Sequence, residues 1–128
     1  MSYYFSKEIK HASFENVIEK TTEALKYEGF GVLTNINMQS TLKKKLDVNI
    51  PRYEILGACN PGFAYKALQA EDNIGLLLPC NVVVYEKGES VFVSVINPVV
   101  AMESVQSEAL APLANEVRSK LETVLLSL

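Results

Sequence analysis

The most constraining feature of the sequence is a pair of apolar runs joined by a short polar connection. The runs cover residues 82–85 and 91–96, are rich in valine, and are separated by a connection that contains Gly88. β-Branched residues favour strands, and glycine supplies the positive φ that a tight hairpin requires. Strands joined by so short a connection run antiparallel. The sequence therefore predicts an antiparallel hairpin in the second half of the chain.

Alternation and helical periodicity predict further elements on both sides of this hairpin. Alternating apolar residues indicate strands at residues 3–9, 30–36 and 52–59. Apolar stripes at helical spacing indicate helices at residues 14–28, 41–46, 61–70 and 110–125. Asn60 followed by Pro61 is a strong helix start, because the N–H that proline lacks would have no partner in the first turn. Within the strand before it, Gly57 permits the close approach of a neighbouring group.

These elements define a fold class. Their order is β-α-β-short α-β-α-β-β-α, and the sequence contains no internal repeat. A chain of 128 residues is the size of one domain. We therefore predict a single α+β domain over residues 1–128, a two-layer sandwich in which helices cover a five-stranded, largely antiparallel sheet.

Composition and charge exclude several classes of partner. Twelve Lys and Arg residues stand against fifteen Asp and Glu residues, which leaves a formal charge of −3 and no basic field for a nucleic acid backbone. No apolar run approaches the roughly 20 residues that a membrane span needs. The first residues lack the basic and apolar segments of a secretory signal. We expect a cytoplasmic protein that binds neither nucleic acid nor membrane.

The hairpin also predicts a homodimer. If Val83 and Tyr85 face the helices, then Val82 and Val84 face the other side of the sheet, and both are apolar. A second apolar face favours burial against another copy of the chain.

Two Cys-Asn pairs are the candidate functional residues. Cys59 and Asn60 end one predicted strand, and Cys80 and Asn81 begin another. If these strands are antiparallel neighbours, both pairs meet at one edge of the sheet. Cys59 also precedes a helix N-terminus, whose partial positive charge stabilises an anion. We therefore predict a ligand site formed by Cys59, Asn60, Cys80 and Asn81.

Plainer interpretations stand beside this one. Both cysteines are also compatible with small buried hydrophobic residues, and both asparagines with a helix cap and a turn. Two cysteines supply half of a tetrahedral zinc site, so no metal site and no cofactor are assigned. Five aromatic residues are expected to build the core rather than a stacking platform: Tyr3, Tyr4, Phe5, Phe63 and Tyr65.

The two Cys-Asn pairs lie in longer motifs, LGACNP at residues 56–61 and GLLLPCNVVVY at residues 75–85. These motifs, with Ala64, Ala67 and Leu68 between them, resemble the bacterial and archaeal family called domain of unknown function 302, and the likeness covers nearly the whole chain. The resemblance implies a compact, often dimeric α+β domain with the Cys-Asn elements near one another, and no established activity. Asn97 stands where that family typically carries an acidic residue before proline.

Three functions are compatible with these residues. The first is a binding module for a small ligand, a soft metal or a sulfur species. The second is a thiol redox or sulfur-transfer enzyme with Cys59 as nucleophile and Cys80 as resolving thiol. The third is a structural interaction domain. The binding module is favoured, because neither motif contains the His, Asp or Glu that normally lies beside a catalytic nucleophile.

Overall fold

Five antiparallel strands form one sheet in the computed structural model, which describes residues 2–128. The strands are β1 (Tyr4–Lys10), β2 (Gly31–Asn37), β3 (Tyr53–Cys59), β4 (Cys80–Lys87) and β5 (Ser90–Ile96). Their order across the sheet is β1-β5-β4-β3-β2, and every neighbouring pair is antiparallel. The predicted hairpin is confirmed as β4–β5, and its turn contains Gly88 with φ +62°.

The two faces of the hairpin are the reverse of the arrangement considered from the sequence. Val82 and Val84 are fully buried against the helices, whereas Val83 and Tyr85 lie on the open face. The register explains this choice, because Val82 lies opposite Val95 and Val84 lies opposite Val93. These valines form one continuous apolar patch that the helices cover.

Helices pack on one side of the sheet, and the α+β sandwich is confirmed. They are α1 (Phe14–Tyr27), α2 (Met38–Leu46), α3 (Pro61–Ala70), α4 (Pro98–Ala101) and α5 (Leu110–Leu126). α1 and α5 contact the central strands, and α3 packs against α5. Leu25, Phe30, Leu56 and Leu121 are among the buried residues between the layers. Within residues 2–128 no helix combines the length and the apolar character needed to cross a bilayer.

Helix ends follow local chemistry. The Ser13 hydroxyl accepts a hydrogen bond from the Asn16 amide at 3.3 Å and so caps α1, and Gly29 ends the segment with φ +89°. α2 begins at Met38 rather than at the predicted residue 41, because the side-chain oxygen of Asn37 accepts the Ser40 amide at 3.0 Å and caps the helix. Asn37 was left outside both the predicted strand and the predicted helix, although asparagine is a good helix cap.

Short helical segments before and after the hairpin were not predicted. Asn97 caps α4, with its side-chain oxygen 3.1 Å from the Val99 amide nitrogen. Two further turns are 3₁₀ helices, at Asp72–Leu77 and Glu103–Val105. Segments this short carry too few turns to produce an amphipathic pattern in the sequence.

Candidate functional site

The backbones of the two Cys-Asn elements meet, as the sequence predicted. β3 and β4 are antiparallel neighbours, with Ala58 opposite Cys80 and Gly57 opposite Asn81. Because the motifs lie at the ends of adjacent strands, they share one end of the sheet. The side chains, however, do not all share one cavity, because Asn60 lines one cavity, and Cys80 and Asn81 line another.

The two cysteines belong to opposite faces of the sheet. Cys80 is 6% exposed and shares the helix-covered face with Val82. Cys59 follows Ala58, which lies directly opposite Cys80 and is itself fully buried on that face. Successive side chains of a strand alternate between faces, so Cys59 belongs to the open side. Both cysteines are free thiols, and this alternation does not favour a dithiol pair.

Burial makes Cys80 a poor nucleophile. Loss of solvent raises the pKa of the Cys80 thiol to about 11, and the neighbouring Cys59 adds to the increase. The thiolate is the reactive form of cysteine. At neutral pH Cys80 is therefore a protonated core residue, as the plainer interpretation of the sequence expected.

Asn60 is a helix cap that lies apart from Asn81. Its side-chain oxygen accepts the Phe63 amide at 3.2 Å, at the start of α3. It lines a cavity of about 130 Å³ between α3 and α5, together with Lys66 and Lys120. This cavity lies among the helices, away from the open face of the sheet.

We expect Asn60→Ala to lower the free energy of unfolding by about 1 kcal/mol, because the Phe63 amide loses its cap. Urea denaturation followed by circular dichroism measures the difference. Asn49→Ala, in the exposed loop before β3, is the matched control and should leave stability unchanged. Equal losses in the two variants would contradict a capping role for Asn60.

Asn81 opens onto a larger cavity on the open face. This cavity, called here the tyrosine cavity, has a volume of about 460 Å³. Its walls include Tyr3, Tyr4, Tyr53, Asn81, Val83 and Tyr85. Strands β3, β4 and β5 form its floor, and the residues at the start of β1 form one wall.

A stack of aromatic rings crosses three strands beside this cavity. Tyr53 and Tyr85 lie opposite each other in β3 and β4, with ring centroids 5.4 Å apart and an interplanar angle of 15°. Phe92 of β5 covers the other face of Tyr85 at 5.3 Å and 10°. Cross-strand aromatic pairs stabilise a sheet and hold each other's rotamers. The stack therefore gives the cavity rigid walls.

The tyrosine cavity is polar only through neutral groups. Burial raises the pKa of the Tyr53 hydroxyl, and the phenols of Tyr85 and Tyr3 add to the increase, so this hydroxyl stays protonated. Ser94, also in the wall, donates a hydrogen bond to the Ser6 hydroxyl at 2.9 Å. Among the residues that the structure describes, no charged side chain lines this cavity.

Gly57 allows the strand ends to pack closely beside Asn81. A Cβ atom at Gly57 would lie 2.2 Å from the Thr34 hydroxyl oxygen and 2.9 Å from Cγ of Pro79. Thr34 lies opposite Gly57 in β2, and Pro79 directly precedes β4. The close approach expected from Gly57 is thus confirmed, and its partners are side chains from both neighbouring segments.

The expectation that Tyr3, Tyr4, Phe5, Phe63 and Tyr65 all build the core is wrong for three of them. Phe5 and Phe63 pack in the core, but Tyr3 and Tyr4 are 64% and 43% exposed, and Tyr65 lies on the surface of α3. A tyrosine can keep its hydroxyl in water while its ring contacts apolar groups. Tyr53 and Tyr85 were missed as site residues, although their place in two alternating strands was the available indication.

In the part of the chain that the structure describes, the remaining polar features do not form a metal centre. Within residues 2–128 no group of three or more His, Cys, Asp or Glu side chains is placed to hold a metal ion. Asn97, at the position where the resembling family carries an acid, is fully buried. Its amide nitrogen donates to the Ser2 carbonyl at 3.1 Å, so this residue fixes the start of β1 to the end of β5.

Comparison with known proteins gives one family. The family described as "Domain of unknown function DUF302" matches residues 5–128. A crystal structure described as that of an uncharacterized conserved DUF302 protein from Bacillus stearothermophilus superposes with a TM-score of 0.91 and 26% sequence identity. The alignment covers 99% of this chain and 98% of that one. Among curated proteins none matches the sequence.

Proposed function

The chain belongs to the DUF302 family, whose description assigns no activity, and we propose that it is a binding module for a small, neutral, planar ligand. The observation that carries this proposal is the tyrosine cavity, a concave site of about 460 Å³ lined mainly by aromatic and aliphatic side chains. Small-molecule sites are typically apolar and aromatic, with a few polar groups that fix orientation. The tyrosine cavity has this composition.

The neutral walls of the cavity select against an ionic ligand. A charge that leaves water requires a compensating charge or several hydrogen bonds. The lining residues within the described part of the chain offer hydroxyl and amide groups and no side chain that is charged at neutral pH. A neutral ligand pays the smallest desolvation cost in such a site.

The ring stack argues against a cage for a quaternary ammonium ion. Such a cage places the cation over the open face of an aromatic ring. Both faces of Tyr85 are occupied, by Tyr53 on one side and Phe92 on the other. The stacked rings therefore serve as a rigid wall, against which a planar ligand packs without strain.

Two polar groups are placed to orient the ligand. The Tyr53 hydroxyl is held in its protonated form, and the exposed Asn81 amide offers both a donor and an acceptor. A ligand with a hydroxyl or carbonyl group matches these partners. Asn81 is the part of the sequence-predicted site that this proposal retains.

The other functional hypotheses have less support. The thiol redox hypothesis needs Cys59 and Cys80 to approach each other, but their strand positions favour opposite faces of the sheet. Soft-metal binding by both thiols meets the same objection. The homodimer and the cytoplasmic location stay predictions, and Val83, Ile55 and Phe92 on the open face support the former.

A ligand titration tests the proposal directly. We expect para-ethylphenol to shift the amide resonances of Asn81, Val83 and Ser94 in a titration of ¹⁵N-labelled protein. Tyr53→Phe keeps the ring stack and removes one hydrogen bond, which should weaken binding about 2- to 10-fold. Tyr65→Phe, on the exposed side of α3, is the matched control and should bind as the wild type does.

The alternatives give distinguishable results. Shifts confined to residues outside the tyrosine cavity would overturn the proposal, as would identical affinities for wild type and Tyr53→Phe. Sedimentation velocity on the same samples reports the oligomeric state. A dimer whose formation removes all para-ethylphenol binding would assign the open face to a second copy of the chain and also overturn the proposal.

A further inference from the structure

A second apolar cavity adjoins the tyrosine cavity. It has a volume of about 200 Å³ and is called here the leucine cavity. Its lining includes Leu76, Leu77, Pro79, Ala101 and Met102. These residues come from the 3₁₀ turn before β4 and from the segment around α4 that follows β5.

The two cavities share part of their walls. Asn81 and Ile96 line both of them, so one ends where the other begins. Asn81 opens β4 and Ile96 closes β5. A molecule seated against Tyr53 and Tyr85 therefore has an apolar path across Ile96 toward Leu77.

The two cavities differ in a way that matches two parts of one ligand. The tyrosine cavity is wide and has aromatic walls, whereas the leucine cavity is smaller and has mainly aliphatic walls. From this geometry, and resting on the proposed function, we infer that the ligand is elongated. A planar ring occupies the tyrosine cavity, and an unbranched aliphatic chain extends into the leucine cavity.

Exposed leucines at the mouth of the leucine cavity support this assignment. Leu76 is 87% exposed and Leu77 is 38% exposed, beside the buried side chain of Met102. Contiguous exposed apolar surface marks binding grooves. An aliphatic chain laid along this groove removes apolar surface of both partners from water, with a gain that grows with each methylene.

No charged side chain within residues 2–128 lines the leucine cavity. The Cys80 thiol in its wall stays protonated, because burial raises its pKa to about 11. A carboxylate or phosphate at the end of the chain would have no partner there. The chain is therefore expected to end in an apolar group.

A homologous series of probes measures the contribution of the chain. We expect the affinity to rise from para-ethylphenol through para-butylphenol to para-hexylphenol by about 2- to 4-fold for each methylene. The same NMR titration should extend the shifts from Asn81 to Leu77 and Ala101 as the chain lengthens. Isothermal titration calorimetry gives the affinities below the solubility limit of each probe.

Two variants separate the chain site from the ring site. Leu77→Asn removes apolar wall, and Ala101→Phe fills the leucine cavity from within. In both variants, the gain in affinity from para-ethylphenol to para-hexylphenol should fall at least several-fold. The affinity for para-ethylphenol itself should stay as in the wild type. Leu126→Asn, an exposed leucine near the end of α5, is the matched control and should retain the full gain.

Each outcome bears on one of the two proposals. If para-ethylphenol binds in the tyrosine cavity but affinity does not rise with chain length, the elongated ligand is wrong and the proposed function stands. If para-ethylphenol does not bind there, the proposed function itself is wrong. If Leu77→Asn and Leu126→Asn reduce the rise in affinity with chain length equally, the probes partition onto the protein surface. That result would overturn the inference. Leu77→Asn, at a partly exposed position, keeps the test valid if Ala101→Phe does not fold.

Discussion

Gly57→Ala is expected to lower the free energy of unfolding by about 2–3 kcal/mol, because no space exists for a side chain at this point of β3. The new Cβ atom would lie 2.2 Å from the Thr34 hydroxyl oxygen and 2.9 Å from Cγ of Pro79. Rotation of Thr34 relieves the first contact. The second involves a proline ring, which has little freedom, so the strand ends must separate. Urea denaturation measures the loss.

Gly31→Ala is the matched control for this prediction. Gly31 begins the neighbouring strand β2, and a Cβ atom there meets no other heavy atom within 4 Å. The same chemical change should therefore alter stability by no more than about 0.5 kcal/mol. Thr34→Ala removes the closer contact. When it is combined with Gly57→Ala, part of the lost stability should therefore return. Equal losses at the two glycines would contradict crowding as the cause, because the space for a new Cβ atom differs between them.

The sequence predicted the special role of Gly57 but not its partners. A glycine inside a strand indicates close approach. Which groups approach depends on pairing between β2, β3 and β4, where a register shift lies between Val32 and Thr34. An irregularity of this kind leaves no local pattern in the chain, because it is fixed by packing across the sheet.

The fold was predictable because its local preferences agree. The valine-rich hairpin, the Asn60-Pro61 helix start and the apolar stripe of α5 all indicate the elements that the structure contains. The short segment around α4 was missed, because four residues carry no periodicity. Asn97, which caps this segment, was noted in the sequence only for its place in the resembling family's motif.

The candidate site was predictable at the level of the backbone alone. Adjacent antiparallel strands bring the two Cys-Asn elements together, as expected. The faces of the side chains depend on register, and a shift by one residue would move each to the other side of the sheet. Placing Cys80 opposite Ala58 rather than Cys59 assigns the two cysteine side chains to opposite faces of the sheet. The same register places Tyr53 beside Tyr85, which builds the tyrosine cavity.

The second large effect concerns the thiols. At pH 8 in native protein, iodoacetamide should alkylate Cys59 at least about 100-fold faster than Cys80. Cys59 is partly exposed, whereas Cys80 is 6% exposed and has a pKa of about 11. At pH 8 about one Cys80 thiol in a thousand is ionised, and burial also blocks the reagent. Mass spectrometry of digested samples follows each cysteine separately. In urea the two rates should become similar.

Gly57→Ala also tests the thiol prediction, because a less stable protein populates its open state more often. If Cys80 reacts only when the structure opens, its alkylation follows the population of the open state. A loss of about 2 kcal/mol then accelerates Cys80 alkylation about 30-fold, while the rate at partly exposed Cys59 changes little. Gly31→Ala should leave both rates as in the wild type. Rapid Cys80 alkylation in a fully stable protein would show that this thiol is accessible in the native state. That result would restore the two-thiol hypothesis in place of the core assignment.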